Sequence, residues 1–295
     1  MEILLTLKNM DNLFKIAYKE IDGLVFGGPF SLCFDFDLEQ IKKINEYCLN
    51  NGVKRYITVD TFICEGDKVA LYEYFDFLKE INPDGVYFTD LGVIKAASNV
   101  GLGNCLIYDP DTFMTNSLDV NFYVRQKIGI VLARELTLEE VNKIVDKNPN
   151  EVDMQVFGHL KLSYSKRKFL SNYFKHIDSD VNVEGKRSIR LIEENREYSL
   201  PVIEDKYGTR IYSDYILLMY KELVPLKNKL KRVILNDIFI ENNGIIFDVA
   251  RDIRRLTQEN AEFLYSNLIN KYPNVPFSTG YLYKKTSKVK EGDNE

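Results

Sequence analysis

The stretch Ile128–Phe157 reads IGIVLARELTLEEVNKIVDKNPNEVDMQVF and contains two short apolar runs that flank an amphipathic segment. Leu138–Lys147 repeats apolar residues at helical spacing, which predicts a helix. The flanking runs, Ile128–Leu132 and Val152–Phe157, have the length and composition of buried strands. Strand, helix and strand in this order are typical of a parallel βαβ unit, so this stretch predicts an α/β fold.

The same alternation runs through the preceding part of the chain. Five more apolar runs, each followed by a helical or polar stretch, are predicted as strands: Ile3–Leu7, Gly23–Gly27, Arg55–Val59, Gly85–Phe88 and Cys105–Tyr108. Seven such units in series favour a parallel (β/α) TIM-barrel-like fold. The alternative is an open doubly wound sheet, but no GxGxxG follows the first strand.

The alternation of strands and helices stops after residue 160. Segments of alternating apolar and polar residues then flank the turn Glu204–Gly208 and predict a β-hairpin. We expect residues 1–175 to form the barrel core and residues 176–295 a C-terminal α+β segment with the hairpin and helices. This segment either completes the barrel or forms an appended subdomain. The first half of Glu151–Phe174 is the favoured closing strand, with the hairpin region appended.

Composition limits the classes of protein that fit. The chain has 295 residues, 45% of them hydrophobic, and a formal net charge of −5, which argues against a surface that binds phosphates throughout. The four cysteines, none of them in a CxxC pair, are typical of a reduced intracellular protein: Cys33, Cys48, Cys64 and Cys105. With neither a signal-peptide pattern nor a membrane-length apolar run, we expect a cytoplasmic protein without membrane contact.

Polar residues follow the predicted strands, where the βα loops of a barrel converge on its active site. Arg134, Glu135 and His159 are the candidate catalytic residues. The candidate substrate-binding residues are Gly27, Gly28, Asp60 and Asp90. Structural roles are the alternatives: the aspartates cap helices, the glycines serve a turn, Arg134 pairs with Glu135, and His159 is structural.

A basic segment interleaved with aromatic residues, Tyr164–Phe174, reads YSKRKFLSNYF. Aromatic faces can stack on bases while cations meet phosphates, which predicts RNA contacts. The residues assigned to them are Ser165, Lys166, Arg167, Lys168 and Tyr173. The alternative is a helix with one solvated basic face and one buried aromatic face. Two histidines and no clustered cysteines make a protein-built zinc site improbable.

Two segments resemble the signature region of peptidase family U32, the collagenase-like proteases: VLARELTLEEVNKI (Val131–Ile144) and EVDMQVFGHLKLSYSKRKFLSNYF (Glu151–Phe174). The segments DGVYFTDLGVI (Asp84–Ile94) and YSLPVIEDKYGTRIYS (Tyr198–Ser213) match the same pattern. The resemblance covers nearly the whole chain and implies a barrel-like fold.

The resemblance also implies a role in RNA modification. Some family members hydroxylate RNA bases, and one pair, a short and a longer member, acts on the wobble uridine of transfer RNA using prephenate. The implied partners are therefore transfer RNA, a longer cysteine-bearing U32 paralogue and prephenate. Arg134, whose planar fork stays charged, is the candidate to hold a prephenate carboxylate.

The chain departs from the longer members, which hold an iron–sulfur cluster through cysteines. Aligned on Ser165, two cysteine positions of that signature fall on Lys161 and Lys168, and its histidine falls on Phe157. We therefore expect no cofactor bound through those positions, because a cluster needs thiolate ligands. Two alternatives remain: a peptidase acting through Glu135, a strand-end aspartate, Cys33 or Cys64, and a non-catalytic scaffold for the longer paralogue.

Overall fold

The computed structural model describes residues 1–32, 35–194 and 198–284. Its strands are β1 (Glu2–Thr6), β2 (Gly23–Gly27), β3 (Lys54–Val59), β4 (Gly85–Phe88), β5 (Leu106–Tyr108), β6 (Gly129–Val131), β7 (Val152–Gly158), β8 (Lys161–Ser165), β9 (Arg190–Leu191), β10 (Leu200–Asp205), β11 (Gly208–Tyr212), β12 (Ile216–Leu218), β13 (Arg232–Leu235) and β14 (Phe277–Ser278). Its α-helices are α1 (Met10–Leu13), α2 (Leu38–Asn50), α3 (Lys68–Ile81), α4 (Gly92–Asn99), α5 (Ser117–Arg125), α6 (Leu138–Lys147), α7 (Phe169–His176), α8 (Asn243–Arg255) and α9 (Ala261–Lys271).

Strands β1 to β7 and β13 form a closed eight-stranded parallel barrel, which confirms the predicted fold class. Strand β13 pairs with β1 through Ile3 and Val233 and with β7 through Met154, so it closes the ring. The favoured closing strand was therefore wrong, because Val152–Gly158 is the seventh strand and the eighth comes from Arg232–Leu235. The boundary near residue 175 stays a prediction.

Local sequence explains the helices that surround the ring. In α6 the side chain of Thr137 accepts a hydrogen bond from the Glu140 amide, and Glu140 Oε2 accepts one from the Thr137 amide. This capping box begins the helix, and its apolar face buries Val141, Ile144 and Val145 against the barrel.

The chain forms no long helix between β1 and β2. The helical spacing of Leu13, Ile16 and Ala17 predicts one helix over Asp11–Glu20, but this stretch holds the short α1 and a 3₁₀ turn at Tyr18–Glu20. The Leu13 carbonyl, which a continuing helix would pair with a backbone amide, accepts a hydrogen bond of 2.7 Å from the Tyr18 hydroxyl.

The barrel interior is filled by side chains. A layer of buried residues crosses it: Leu4, Val25, Tyr56, Tyr87, Ile107, Val131 and Ile234. Below this layer Arg232 Nε contacts both carboxylate oxygens of Asp153 at 2.9 and 2.8 Å. These side chains close the floor of the barrel, on the side away from the carboxyl ends of the strands.

A second, four-stranded antiparallel sheet has the order β8-β11-β10-β9. Strands β10 and β11 form the predicted hairpin, with Asp205 paired to Gly208 at its turn. The Tyr207 hydroxyl accepts a hydrogen bond of 2.8 Å from the Phe30 amide, which ties the hairpin to the loop after β2. Among the described residues, no helix combines the length and apolarity needed to cross a membrane.

Candidate binding site at the barrel mouth

An inner cavity of about 70 Å³ lies at the carboxyl ends of the barrel strands. Strand-end residues line it from below, and Lys161 of β8 and Tyr212 of β11 line it from the second sheet. The polar lining residues are Thr6, Thr58, Asp60, Asp109, Arg134, Gln155, Lys161, Tyr212 and Asn236. The second sheet therefore covers the mouth where an α/β barrel carries its active site.

Ion pairs organise the lining. Arg134 Nη2 lies 2.8 Å from Asp109 Oδ2, and Arg134 Nη1 lies 2.6 Å from Asp111 Oδ1. Arg134 Nε donates to Gln155 Oε1 at 3.2 Å. Lys161 Nζ lies 2.9 Å from Asp111 Oδ2, so Asp111 joins the two cations. These four charged side chains are only 12–20% exposed, which limits solvent screening.

The ion pairs fix the charge of their members. Burial alone would raise the pKa of Asp109, but the Arg134 guanidinium and the Lys161 ammonium outweigh it and lower that pKa. Burial alone would lower the pKa of Lys161, but Asp111 and Asp60 raise it instead. Lys161 therefore stays protonated and is unsuited to attack a carbonyl as a free amine.

Asp60 behaves differently. Burial raises its pKa, opposed by Lys161 and by the hydrogen bond of 2.9 Å that the Leu32 amide donates to Oδ1. A carboxyl group with a raised pKa in a cavity can give or take a proton nearer neutral pH than an exposed one. Asp60 is thus the group of the inner cavity that is suited to proton transfer, and Lys161 supplies a fixed positive charge in the same lining.

An outer cavity of about 390 Å³ adjoins the same lysine, since Lys161 lines both cavities. Aromatic and apolar residues supply much of its wall: Phe62, Leu91, Tyr108, Phe113 and Tyr164. The rings of Phe62 and Tyr164 stack with centroids 4.8 Å apart. Asp90 and Asp111 add carboxylates, so this wall combines aromatic faces with hydrogen-bonding groups.

The predicted catalytic residues take separate places. Arg134 lies in the inner cavity, where it pairs with Asp109 and Asp111 rather than with its neighbour Glu135. Glu135 is exposed and lies outside the lining of both cavities. A catalytic role for Glu135 stays a prediction that this geometry does not favour.

His159 is buried next to the mouth rather than in the lining. Its Nδ1 lies 2.7 Å from the Ser213 carbonyl, and its ring meets Phe239 edge-on at 5.9 Å. Burial lowers the pKa of His159, so the imidazole is neutral near pH 7 and Nδ1 donates to that carbonyl. These contacts describe a residue that joins β7 to the segment after β11.

Among the predicted substrate-binding residues, Asp60 lines the inner cavity and Asp90 the outer one. Asp90 also accepts hydrogen bonds from the Gly92 amide at 2.8 Å and the Ile63 amide at 3.0 Å. It therefore contacts the first residue of α4 and also holds the loop after β3.

Protein atoms fill the space beside both predicted glycines. A Cβ on Gly27 would lie 2.1 Å from Ser31 Oγ, and one on Gly28 would lie 2.4 Å from Ile41 Cδ1. The absence of a side chain at these two positions is thus required by packing within the protein. Contact of either glycine with a ligand stays a prediction.

The basic segment is not one helix, since it runs from the end of β8 through a turn into α7. Lys166 Nζ donates to the Phe62 carbonyl at 2.8 Å, and Lys168 Nζ lies 2.9 Å from Glu184 Oε1. Ser165 Oγ accepts from the Arg167 amide at 3.2 Å. Arg167 and Tyr173 are exposed, and Lys166 is placed at the rim of the outer cavity through Phe62.

Sequence reasoning missed three residues of the mouth. Asp111 follows Asp109 in the run DPD, a signal that could have been used. Lys161 was identified only as a replaced cysteine position, yet it lines both cavities. Tyr212 comes from the hairpin, and nothing in the local sequence indicates that it reaches the barrel.

The described cysteines lie outside the lining of both cavities. Cys48 is buried in α2, Cys105 is partly buried before β5, and Cys64 is exposed, while Cys33 lies outside the described residues. Burial raises the pKa of Cys48 to about 12 and that of Cys105 to about 11, which keeps both thiols protonated. Within the described ranges no three His, Cys, Asp or Glu side chains are grouped to hold a metal ion.

Comparison with known proteins shows what the chain is similar to. The tRNA hydroxylation protein P2 of Bacillus subtilis (strain 168) is 31% identical over 200 residues, 66% of this chain and 64% of that protein. The tRNA hydroxylation protein P1 of the same organism is 24% identical over 184 residues, 61% of this chain and 44% of that protein. The matches thus span less than two thirds of either relative.

A solved structure supports the fold, and a sequence profile shows the family. The solved structure of the U32 peptidase Mk0906 has a TM-score of 0.51, covers 80% of this chain and 92% of that chain, and is 15% identical, which supports the fold. The sequence profile of peptidase family U32 matches residues 8–235, more than half of the chain. The chain therefore belongs to peptidase family U32.

Proposed function

We propose that this protein takes part in the hydroxylation of transfer RNA at the wobble uridine, which yields 5-hydroxyuridine. The observation that carries the proposal is the 31% identity over 200 residues to tRNA hydroxylation protein P2. The protein would bind RNA and position the reacting base, and a longer, cysteine-bearing U32 paralogue would supply the redox centre. The additional similarity to tRNA hydroxylation protein P1 supports a paralogous partner.

The chemistry of the mouth supports this division of labour. Asp60 with its raised pKa and Lys161 with its fixed positive charge can move a proton and stabilise negative charge on a substrate oxygen. Both Cys48 and Cys105 are thiols with raised pKa values on separate elements, which makes them poor ligands for a cluster. The proposal therefore gives this chain binding and proton transfer, and gives electron transfer to the partner.

The proposal gives prephenate no site in the inner cavity. Four of the five N–H donors of Arg134 are engaged by Asp109, Asp111 and Gln155 in the described part of the chain. A ligand carboxylate would have to compete with these internal carboxylates. The role proposed for Arg134 is therefore to position Asp109 and Asp111, and Asp111 in turn holds Lys161.

Gene deletion tests the proposal. In an organism that makes the modification, deletion should abolish 5-hydroxyuridine in bulk transfer RNA, measured by mass spectrometry of nucleosides, and the wild-type gene should restore it. Lys161→Met should fail to restore it, whereas the matched change Lys43→Met on the exposed face of α2 should succeed. Unchanged 5-hydroxyuridine in the deletion strain would refute the proposal.

The partner and the RNA contact need their own experiment. Affinity purification of the tagged chain should recover a longer U32 paralogue that carries clustered cysteines. Ultraviolet cross-linking followed by mass spectrometry should place RNA on the segment Lys166–Lys168, next to the outer cavity. RNA cross-links confined to the amino-terminal face of the barrel would contradict the proposed orientation.

A further inference from the structure

The outer cavity has a wall that is fixed before any ligand arrives. The Tyr164 hydroxyl donates to the Tyr207 carbonyl at 3.1 Å, which holds the Tyr164 ring against Phe62. The two rings are only 18° from parallel, with centroids 4.8 Å apart. Phe62 is nevertheless 42% exposed, and Phe113 in the same lining is 72% exposed. Such exposed aromatic surface at a cavity is typical of a binding site.

The charges of this cavity discriminate among ligands. Asp90, Asp111 and Lys161 are its charged lining residues, and Lys161 is already paired with Asp111 at 2.9 Å. Two carboxylates against one ammonium disfavour a phosphate inside the cavity. They suit an uncharged planar ring whose edge carries both hydrogen-bond donors and acceptors.

Cations occupy the rim instead. Lys166 Nζ donates to the backbone carbonyl of Phe62 and lies 3.7 Å from Asp67 Oδ2. Arg167 follows on the exposed turn. A polynucleotide approaching this face would therefore meet positive charge outside the cavity and aromatic surface within it. Proteins hold unpaired nucleotides in this way: cations contact the phosphate backbone, and an aromatic ring stacks on the base.

We propose that the outer cavity receives a single pyrimidine base extruded from an RNA loop, which stacks on the Phe62–Tyr164 wall. The cavity volume of about 390 Å³ falls in the range of about 300–1,000 Å³ typical of small-ligand sites. In the cavity the edge of the base would face Lys161, which also lines the inner cavity beside Asp60. This inference rests on the proposed function and deepens it, because it assigns the place where the target base is held.

Two forms of one RNA test the inference with the full-length chain. The probe is a fluorescently labelled transfer RNA anticodon stem–loop that carries either uridine or an abasic nucleotide at the wobble position. The dissociation constant of each form is measured by fluorescence anisotropy. The wild-type chain should bind the uridine form roughly 5-fold or more tightly than the abasic form, as expected for one stacked base.

Variants assign that preference to the cavity. Phe62→Leu should weaken binding of the uridine form by roughly 5-fold or more and leave the abasic form within about 2-fold, and Phe113→Leu should act in the same direction. Phe263→Leu, a matched change at a 65% exposed position on α9, should alter neither. Phe113 is more exposed than Phe62, so its variant remains informative if Phe62→Leu proves unstable.

Each outcome separates the inference from the proposed function. Equal binding of the two RNAs by the wild type, or equal weakening of both by Phe62→Leu, overturns the base pocket. If the deletion strain also lacks 5-hydroxyuridine, the proposed function stands without the pocket. A preference for the uridine form in a protein whose deletion leaves 5-hydroxyuridine unchanged keeps the pocket and refutes the proposed function.

Discussion

Replacing Asp237 by asparagine should change how the stability of the barrel depends on pH. Asp237 follows β13 and is only 3% exposed. Its Oδ1 accepts a hydrogen bond of 2.7 Å from the Thr6 hydroxyl, and its Oδ2 accepts one of 3.3 Å from the Lys8 amide. Burial raises the pKa of Asp237 from 3.8 to about 6, opposed by these hydrogen bonds and by the charges of Lys8 and Arg187.

The sign follows from the direction of the shift. The folded protein holds this proton more tightly than the unfolded chain, so the stabilising contribution is complete below pH 3.8 and is lost as pH rises through about 6. At about 1.36 kcal/mol per pH unit, this shift of the Asp237 pKa amounts to about 3 kcal/mol of stability, most of which is lost between about pH 4 and about pH 7. Asparagine cannot titrate at this position. The free energy of unfolding of Asp237→Asn should therefore rise relative to that of the wild type between about pH 4 and about pH 7, by most of this amount.

Urea unfolding followed by circular dichroism at a series of pH values measures the effect. The weakened hydrogen bonds of the asparagine lower stability at every pH and therefore shift the curve without changing its slope. Asp76→Asn, on the exposed face of α3, is the matched control for loss of a carboxylate. Parallel wild-type and Asp237→Asn curves between about pH 4 and about pH 7 would refute the reasoning.

Three further changes test the packing of the barrel. Gly27→Ala places a methyl group 2.1 Å from a side-chain oxygen and should cost about 1–3 kcal/mol in urea unfolding, whereas Gly66→Ala, with nothing within 4 Å, should stay within about 0.5 kcal/mol. Arg232→Met leaves the Asp153 carboxylate buried without its ion pair and should lower the free energy of unfolding by about 3–5 kcal/mol; a loss below about 1 kcal/mol would contradict this. His159→Gln should lower the melting temperature yet still restore 5-hydroxyuridine in the deletion strain, and failure to restore it in a folded variant would favour the catalytic role.

The local sequence predicts the barrel because each βα unit carries its own strand and helix signals. The strands are short and apolar, and capping residues in the sequence mark where helices such as α6 begin. The eighth strand was harder to place, since Arg232–Leu235 joins β7 only after a long insertion that contains the second sheet. A strand can be predicted from its own residues, but its neighbours in a sheet depend on contacts that are remote in sequence.

The site was predictable only in part for the same reason. The position at a strand end predicts that Asp60 and Arg134 lie at the mouth of a parallel barrel, and both line the inner cavity. Their roles there stay predictions. Lys161 reaches the mouth because the chain leaves β7 at Gly158, whose φ of +105° favours glycine. A Cβ there would lie 2.2 Å from the Asn236 carbonyl oxygen, so only glycine allows β8 to turn over the barrel next to β13.

Charge balance in the mouth favours an uncharged ligand. Asp60, Asp109 and Asp111 oppose Arg134 and Lys161, and the raised pKa of Asp60 brings the cluster closer to neutrality when that carboxyl is protonated. A dianionic ligand would have to break internal ion pairs to find a cation, at the cost of leaving a carboxylate unpaired in a largely buried site. A uracil ring avoids that cost, since its carbonyl oxygens can accept from Lys161 while every internal ion pair persists. In the proposed complex the negative charges of the RNA backbone would lie outside the mouth, on the side of Lys166 and Arg167.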